Sequence, residues 1–121
     1  LVPFPVADRD AYKALIADAA IAARTLTAPV VEVEIASLMA IQRTVSDSRL
    51  MQYERGDVEI VPGRRAVGHG ALVDVPIVVR AGGKNYLHDG HHRTTAAWLA
   101  GGDFVSARLI DLDAPPDANQ T

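Results

Sequence analysis

The residues able to do chemistry gather in one place. From His88 to Thr95 the chain reads HDGHHRTT, so three of the four histidines lie beside a carboxylate, a guanidinium and two hydroxyls. Gly90 permits a sharp turn, and the amides of His91, His92, Arg93 and Thr94 become the first-turn donors of an expected helix. Such a helix start is an anion site, because free N–H groups and the positive end of the dipole point the same way. Arg93 adds a fork that grips phosphate oxygens in bidentate fashion. Thr94 and Thr95 add hydroxyl donors, and Asp89 can ligate Mg²⁺ or accept a proton. The pattern points to a phosphate chain. It makes Asp89, His91 and His92 the catalytic candidates and Gly90, His92, Arg93, Thr94 and Thr95 the phosphate-binding ones.

Other chemistries fit less well. His88, His91 and His92 have neither the His-Glu-x-x-His spacing nor a Cys partner, which argues against zinc. The chain has no G-x-x-x-x-G-K-[ST] loop and no G-x-S-x-G elbow. Absence of Cys removes disulfides and thiol nucleophiles and fits a reducing, cytoplasmic setting. No apolar run approaches the ~18 to 20 residues of a membrane span, so no membrane partner is expected. A net charge of −3 argues against a protein that wraps nucleic acid by charge alone. Locally the balance reverses. Arg64, Arg65, Arg80, Lys84 and Arg93 face only Asp74 and Asp89 over that stretch, a field suited to an anion.

The elements that must position these groups follow from spacing and punctuation. Asp8 is placed to cap a helix, and Tyr12, Leu15, Ile16, Ala19, Ala23 and Leu26 predict that it continues until just before Pro29. Val30 to Leu38 reads as one strand. Ser46 caps a short helix that Gly56 stops, and VEIVPG is extended. Gly63 to Asp74 reads as an irregular loop, with Arg64, Arg65 and His69 in solvent. VPIVVR and KNYLHD form a hairpin across Ala81-Gly82-Gly83. A helix from His91 to Ala100, closed by Gly101-Gly102, places Trp98 and Leu99 in the core. Phe104 to Leu112 is the last strand. The expected fold is α+β, a small mixed sheet packed against helices, two of them longer. Residues 1–29 form an N-terminal helical segment, 30–112 the domain, and 113–121 a flexible tail.

These motifs carry a resemblance. DGHHRTTAAWLAGG, after VPIVVRAGGKNYLH and before FVSARLIDL, resembles the core of the ParB/sulfiredoxin superfamily. VEVEIASLMAIQRTVSDSRLMQY is similar to its opening strand and the segment that follows, so the likeness spans Val30 to Leu112. It implies a ParB/sulfiredoxin-like single domain that binds ATP, ADP or CTP, with Mg²⁺, at this corner. Gly90, Arg93 and Ala96 match the Gly-Glu-Arg-Arg-x-x-Ala string of ParB proteins, with His91 and His92 in place of Glu and Arg. His92 and Arg93 match the Gly-Cys-His-Arg string of sulfiredoxins. There His91 stands where the reactive Cys would be, and a chain without thiols cannot reduce a sulfinic acid that way.

Asp-Gly-His-His-Arg is similar to the string of free-serine kinases, which implies nucleotide and phosphoryl-transfer roles for Asp89, His91, His92 and Arg93. The resemblance also implies an upstream Glu, for which Glu34 and Glu54 are the candidates. Gln42 and Arg43 then close the other side of the nucleotide pocket. The expected activity is Mg-dependent phosphoryl transfer or nucleotide hydrolysis. The alternatives are a ParB-like nuclease acting on DNA, with His91 or His92 as base, and a non-catalytic interaction module of a phage, plasmid or effector protein. A Leu at position 1 suggests a domain of a longer polypeptide.

Overall fold

A computed structural model describes residues 1–55, 59–60, 72–73 and 75–114. Along the chain run α1 (Arg9–Leu15), α2 (Ile21–Thr25), β1 (Val30–Glu34), a 3-10 turn (Ile35–Ser37), β2 (Leu38–Ala40) and α3 (Asp47–Glu54). They are followed by β3 (Glu59–Ile60), β4 (Leu72–Val73), β5 (Ile77–Ala81), β6 (Lys84–Asp89), α4 (His91–Leu99) and β7 (Phe104–Asp111). The fold is α+β. Five strands form a mixed sheet in the order β1-β7-β5-β6-β2, and β3 and β4 form a separate parallel pair.

The centre of the sheet is the hairpin that alternation and glycine predict. Ala81 pairs with Lys84, so Ala81 belongs to the strand and Gly82-Gly83 alone make the turn. Both have left-handed φ, 59° and 74°, as a two-residue hairpin of type I′ requires. Alternation then sorts the side chains onto two faces. Val78, Leu87, Val105 and Ala107 join Phe4, Val33, Ile35, Leu38 and Ala40 on one, with Ala97 of α4 packed against them. Val79 and Ile110 face the other way, under Tyr12 of α1 with Ile16 and Ile21.

The first helix is broken rather than continuous. Asp8 does cap α1, its Oδ1 accepting from the amides of Asp10 and Ala11. The helix ends at Leu15, and Ala20 adopts a left-handed φ of 52° before α2. Ile16 and Ile21 both pack on the Tyr12 side of the sheet. Five residues apart, they would diverge by about 140° on one straight helix, and the break brings both to the same core.

The stretch from Val30 to Leu38 is likewise two strands. β1 pairs antiparallel with β7, whereas β2 pairs parallel with β6 at the opposite edge. The 3-10 turn makes the crossing, with Ser37 Oγ donating to the Glu34 carbonyl at 2.7 Å. Beyond β2 the N-terminal residues add to the edge. The Ala40 amide donates to Pro5 O at 2.7 Å, and the Ala7 amide to Ala40 O at 2.8 Å. Phe4 and Tyr12 are thus buried in the same two cores as the strands.

The four helices among the described residues are short, nine residues at most. In α4 the buried residues are His91, Thr94 and Thr95, so the helix meets the sheet through its first two turns. Trp98 and Leu99, in the last turn, are 46% and 62% exposed, not core. Gly101, with φ 88°, closes the helix as expected. Of the Gly63–Asp74 segment, Leu72 and Val73 pair with Glu59 and Ile60 instead of lying in a loop. Arg64, Arg65, His69, Gly56 and the tail from residue 115 lie outside the described residues. Asp113 is tied down, its two carboxylate oxygens accepting from the Gly82 and Gly83 amides at 2.8 Å each. Among the described residues no helix is long and apolar enough to cross a membrane.

Candidate functional site

β2 and β6 run parallel, so their carboxyl ends emerge side by side. At the end of β6 the chain turns through Gly90, whose φ is 99°. A Cβ there would lie 2.7 Å from Pro76 Cβ and 2.9 Å from Pro76 Cα, so both conformation and space demand glycine. Gly90 also leaves α4 without a side-chain cap, whereas Asp8 caps α1 and Ser46 caps α3. The Thr94 amide donates to Gly90 O at 2.9 Å and is not a free donor. The first-turn amides without an intrahelical partner are therefore those of His91, His92 and Arg93.

The paired histidines act as staples. His91, 4% exposed, accepts the Ile41 amide on Nε2 at 3.0 Å. His92 accepts the Ser46 amide on Nε2 at 2.8 Å. Each neutral ring therefore carries its proton on Nδ1, and together they pin both ends of the Ile41–Ser46 segment across the start of α4. Burial drives the His91 pKa down to about 4, against an opposing pull from Asp89. Burial also lowers that of His92, helped by Arg49 and Arg93. His88 lies on the other face. Its Nδ1 is 2.8 Å from Tyr12 Oη, and burial lowers its pKa too.

Arg93 is largely buried, with a side chain 14% exposed. It donates to Val75 O at 3.3 Å and meets the Asp89 carboxylate at 3.3 Å. Asp89 itself is 62% exposed and reaches solvent. α3 packs against α4 and brings two residues that the sequence reading missed. The half-buried Tyr53 phenol has a raised pKa, chiefly from burial, while Arg93 and Arg49 pull it down and Asp89 pushes it up. Arg49, Tyr53, Asp89, His92 and Arg93 thus form one electrostatic cluster. A signal was present in the sequence: Arg49 and Tyr53 stand at i and i+4, one face of the helix that Ser46 begins.

The other predicted residues fall elsewhere. Thr94 and Thr95 are buried on the sheet-facing side of α4, and neither hydroxyl has a hydrogen-bond partner among the described residues. Gln42 and Arg43 line a cleft of about 660 Å³ with Val6, Ala7, Asp8, Arg9, Ile41 and Thr44, and no residue of α4 lines it. Glu34 ends β1, three strands away from β6, or about 14 Å at the usual strand spacing. Glu54 ends α3 and is exposed. Among the described residues no three His, Asp or Glu side chains gather as a metal cage. A lone Asp89 fits Mg²⁺ arriving with phosphates, because that ion keeps several waters and needs only one or two carboxylates.

No protein-family model matches the chain, and no curated protein matches it either. Among solved structures it is similar to sulfiredoxin from Arabidopsis thaliana, at 18% identity and a TM-score of 0.49, over 69% of this chain and 85% of that one. A likeness this distant carries no inference about activity, which has to come from the corner itself.

Proposed function

We propose that the β6–α4 corner binds the phosphate chain of a nucleoside di- or triphosphate, ATP, ADP or CTP, together with Mg²⁺. The domain then carries out phosphoryl transfer or nucleotide hydrolysis. One observation carries this reading: an uncapped helix start at the carboxyl end of a central strand, flanked by the Arg49 and Arg93 guanidiniums. Helix-start amides and two cations are the groups that stabilise charge on a transferring phosphoryl group.

In this scheme the His91, His92 and Arg93 amides cradle phosphate oxygens. Arg93, buttressed by Val75 O and Asp89, is held before the ligand arrives, and Arg49 supplies the second cation. With its Nε2 occupied, His92 offers Nδ1–H to the phosphate, and His91 positions the Ile41 end of the loop. The bound ion would supply charge neutralisation, with Asp89 as its protein ligand. In hydrolysis a water oxygen bonds to the terminal phosphorus as the bond to the bridging oxygen breaks. The water proton passes to an oxygen of the terminal phosphate, because the Asp89 carboxylate is shared between the ion and Arg93.

Calorimetric titration of ATP, ADP and CTP, with and without Mg²⁺, tests the reading. Arg49→Ala is the informative variant because Arg49 is exposed and its loss leaves the core intact. Affinity should fall by about 1.5 to 3 kcal/mol, the range for charged hydrogen bonds. Asp89→Asn should keep binding and lose phosphate release. Absence of nucleotide binding, or wild-type affinity in Arg49→Ala, overturns the reading. Plasmid cleavage without nucleotide turnover would point to the nuclease instead.

A further inference from the structure

The cleft behind His91 is separate from the corner. One wall is Val6, Ala7, Asp8 and Arg9; the other is Ile41, Gln42, Arg43 and Thr44. Its volume of about 660 Å³ lies within the range of small-molecule sites. Both walls are fixed by backbone contacts. The N-terminal wall is hydrogen-bonded to Ala40, and the Val2 amide donates to Arg43 O at 2.9 Å. The loop wall is held at Ile41 by His91 and at Ser46 by His92. A ligand would therefore meet a formed site and would not have to order it.

The polar groups of the cleft are unevenly satisfied. Asp8 is engaged in capping α1, and the Gln42 amide nitrogen donates to Thr44 O at 2.9 Å. Arg9 and Arg43, one from each wall, make no ion pair among the described residues. Two guanidiniums across a small cleft hold a carboxylate or a phosphate with several donors at once. Gln42 Oε1 remains as an acceptor for a hydroxyl or amine on the same molecule.

We propose that this cleft is a second ligand site, for a small organic anion gripped between Arg9 and Arg43. The site is built from the N-terminal segment and does not depend on nucleotide at the α4 corner. Amide resonances of the ¹⁵N-labelled protein, followed during titration with inorganic phosphate and separately with citrate, test it and distinguish the two anion chemistries. At least one probe should shift Arg9, Gln42, Arg43 and Thr44 saturably. The shifts should persist in Arg49→Ala and vanish in the Arg9→Ala/Arg43→Ala double variant. Both arginines are exposed, so the double variant should keep the wild-type spectrum elsewhere. Unmoved cleft resonances with both anions, or equal shifts in the double variant, overturn the proposal. Failure of nucleotide to bind, with these shifts intact, would remove the corner assignment and leave the cleft.

Discussion

The two ends of β6 treat polar groups in opposite ways. At the hairpin end they satisfy one another. Asp113 takes both turn amides, Arg80 donates to Asn85 and Asp111, and Asn85 donates to Ser37. At the α4 end the helix has no side-chain cap, and the carboxylate facing Arg93 stands in solvent. Equal polarity thus has different consequences. A closed network stabilises a turn, whereas donors left open beside a cationic cluster can accept an outside ligand.

The glycines separate the two ends most sharply. Gly90→Val forces a β-branched residue into φ 99° with its Cβ on Pro76, and strain plus overpacking should remove about 4 kcal/mol or more. Urea denaturation would measure it, and a loss below ~2 kcal/mol would mean that Pro76 yields easily.

Acid should weaken the corner next. The folded pKa of His91, about 4, lies below the ordinary 6.5. The unfolded chain therefore binds more protons between those values, and stability is complete above pH 6.5 and declines as pH falls towards 4. The loss is on the order of 3 kcal/mol, since a protonated Nε2 would confront the Ile41 amide. Urea midpoints at several pH values, in wild type and His91→Asn, check this. An equally steep decline in the variant would assign the effect to other groups.

At the hairpin end, Asp113→Ala frees two exposed amides and should cost about 1 to 2 kcal/mol, with nucleotide affinity unchanged. Smallest is Gly82→Ala. Its φ of 59° is disfavoured but a Cβ meets nothing within 4 Å, so about 1 kcal/mol is expected. A Tm drop as large as that of Gly90→Val would erase the distinction between the two turns.

Much of the fold was legible in the sequence because it is encoded within a few residues. A Gly-Gly pair between alternating runs makes a hairpin, Ser46 and Asp8 cap the helices that follow them, and Gly90 and Gly101 bracket α4. The turn at Gly90 and the helix start at His91 were legible for the same reason, since Asp89 to Arg93 are contiguous. The failures are also instructive. Helical spacing from Tyr12 to Leu26 is the same for one helix or for two, and burial of Ile16 with Ile21 decides between them. Val30 to Leu38 has strand composition throughout, yet its two halves pair at opposite edges of the sheet.

Residue types and local order came from the sequence alone: a glycine that must turn, free amides after it, and an arginine one turn in. Tertiary structure decided what the histidines do. Ile41 and Ser46 are 50 and 46 residues from the rings that hold them, and Tyr12 is 76 residues from His88. It also decided that Arg49 and Tyr53 join the corner while Gln42 and Arg43 line a separate cleft with Arg9. The physical reason is the range of the forces involved. Backbone conformation and capping act between neighbours in the chain, whereas a hydrogen bond or a charge acts on whatever the packed sheet brings near.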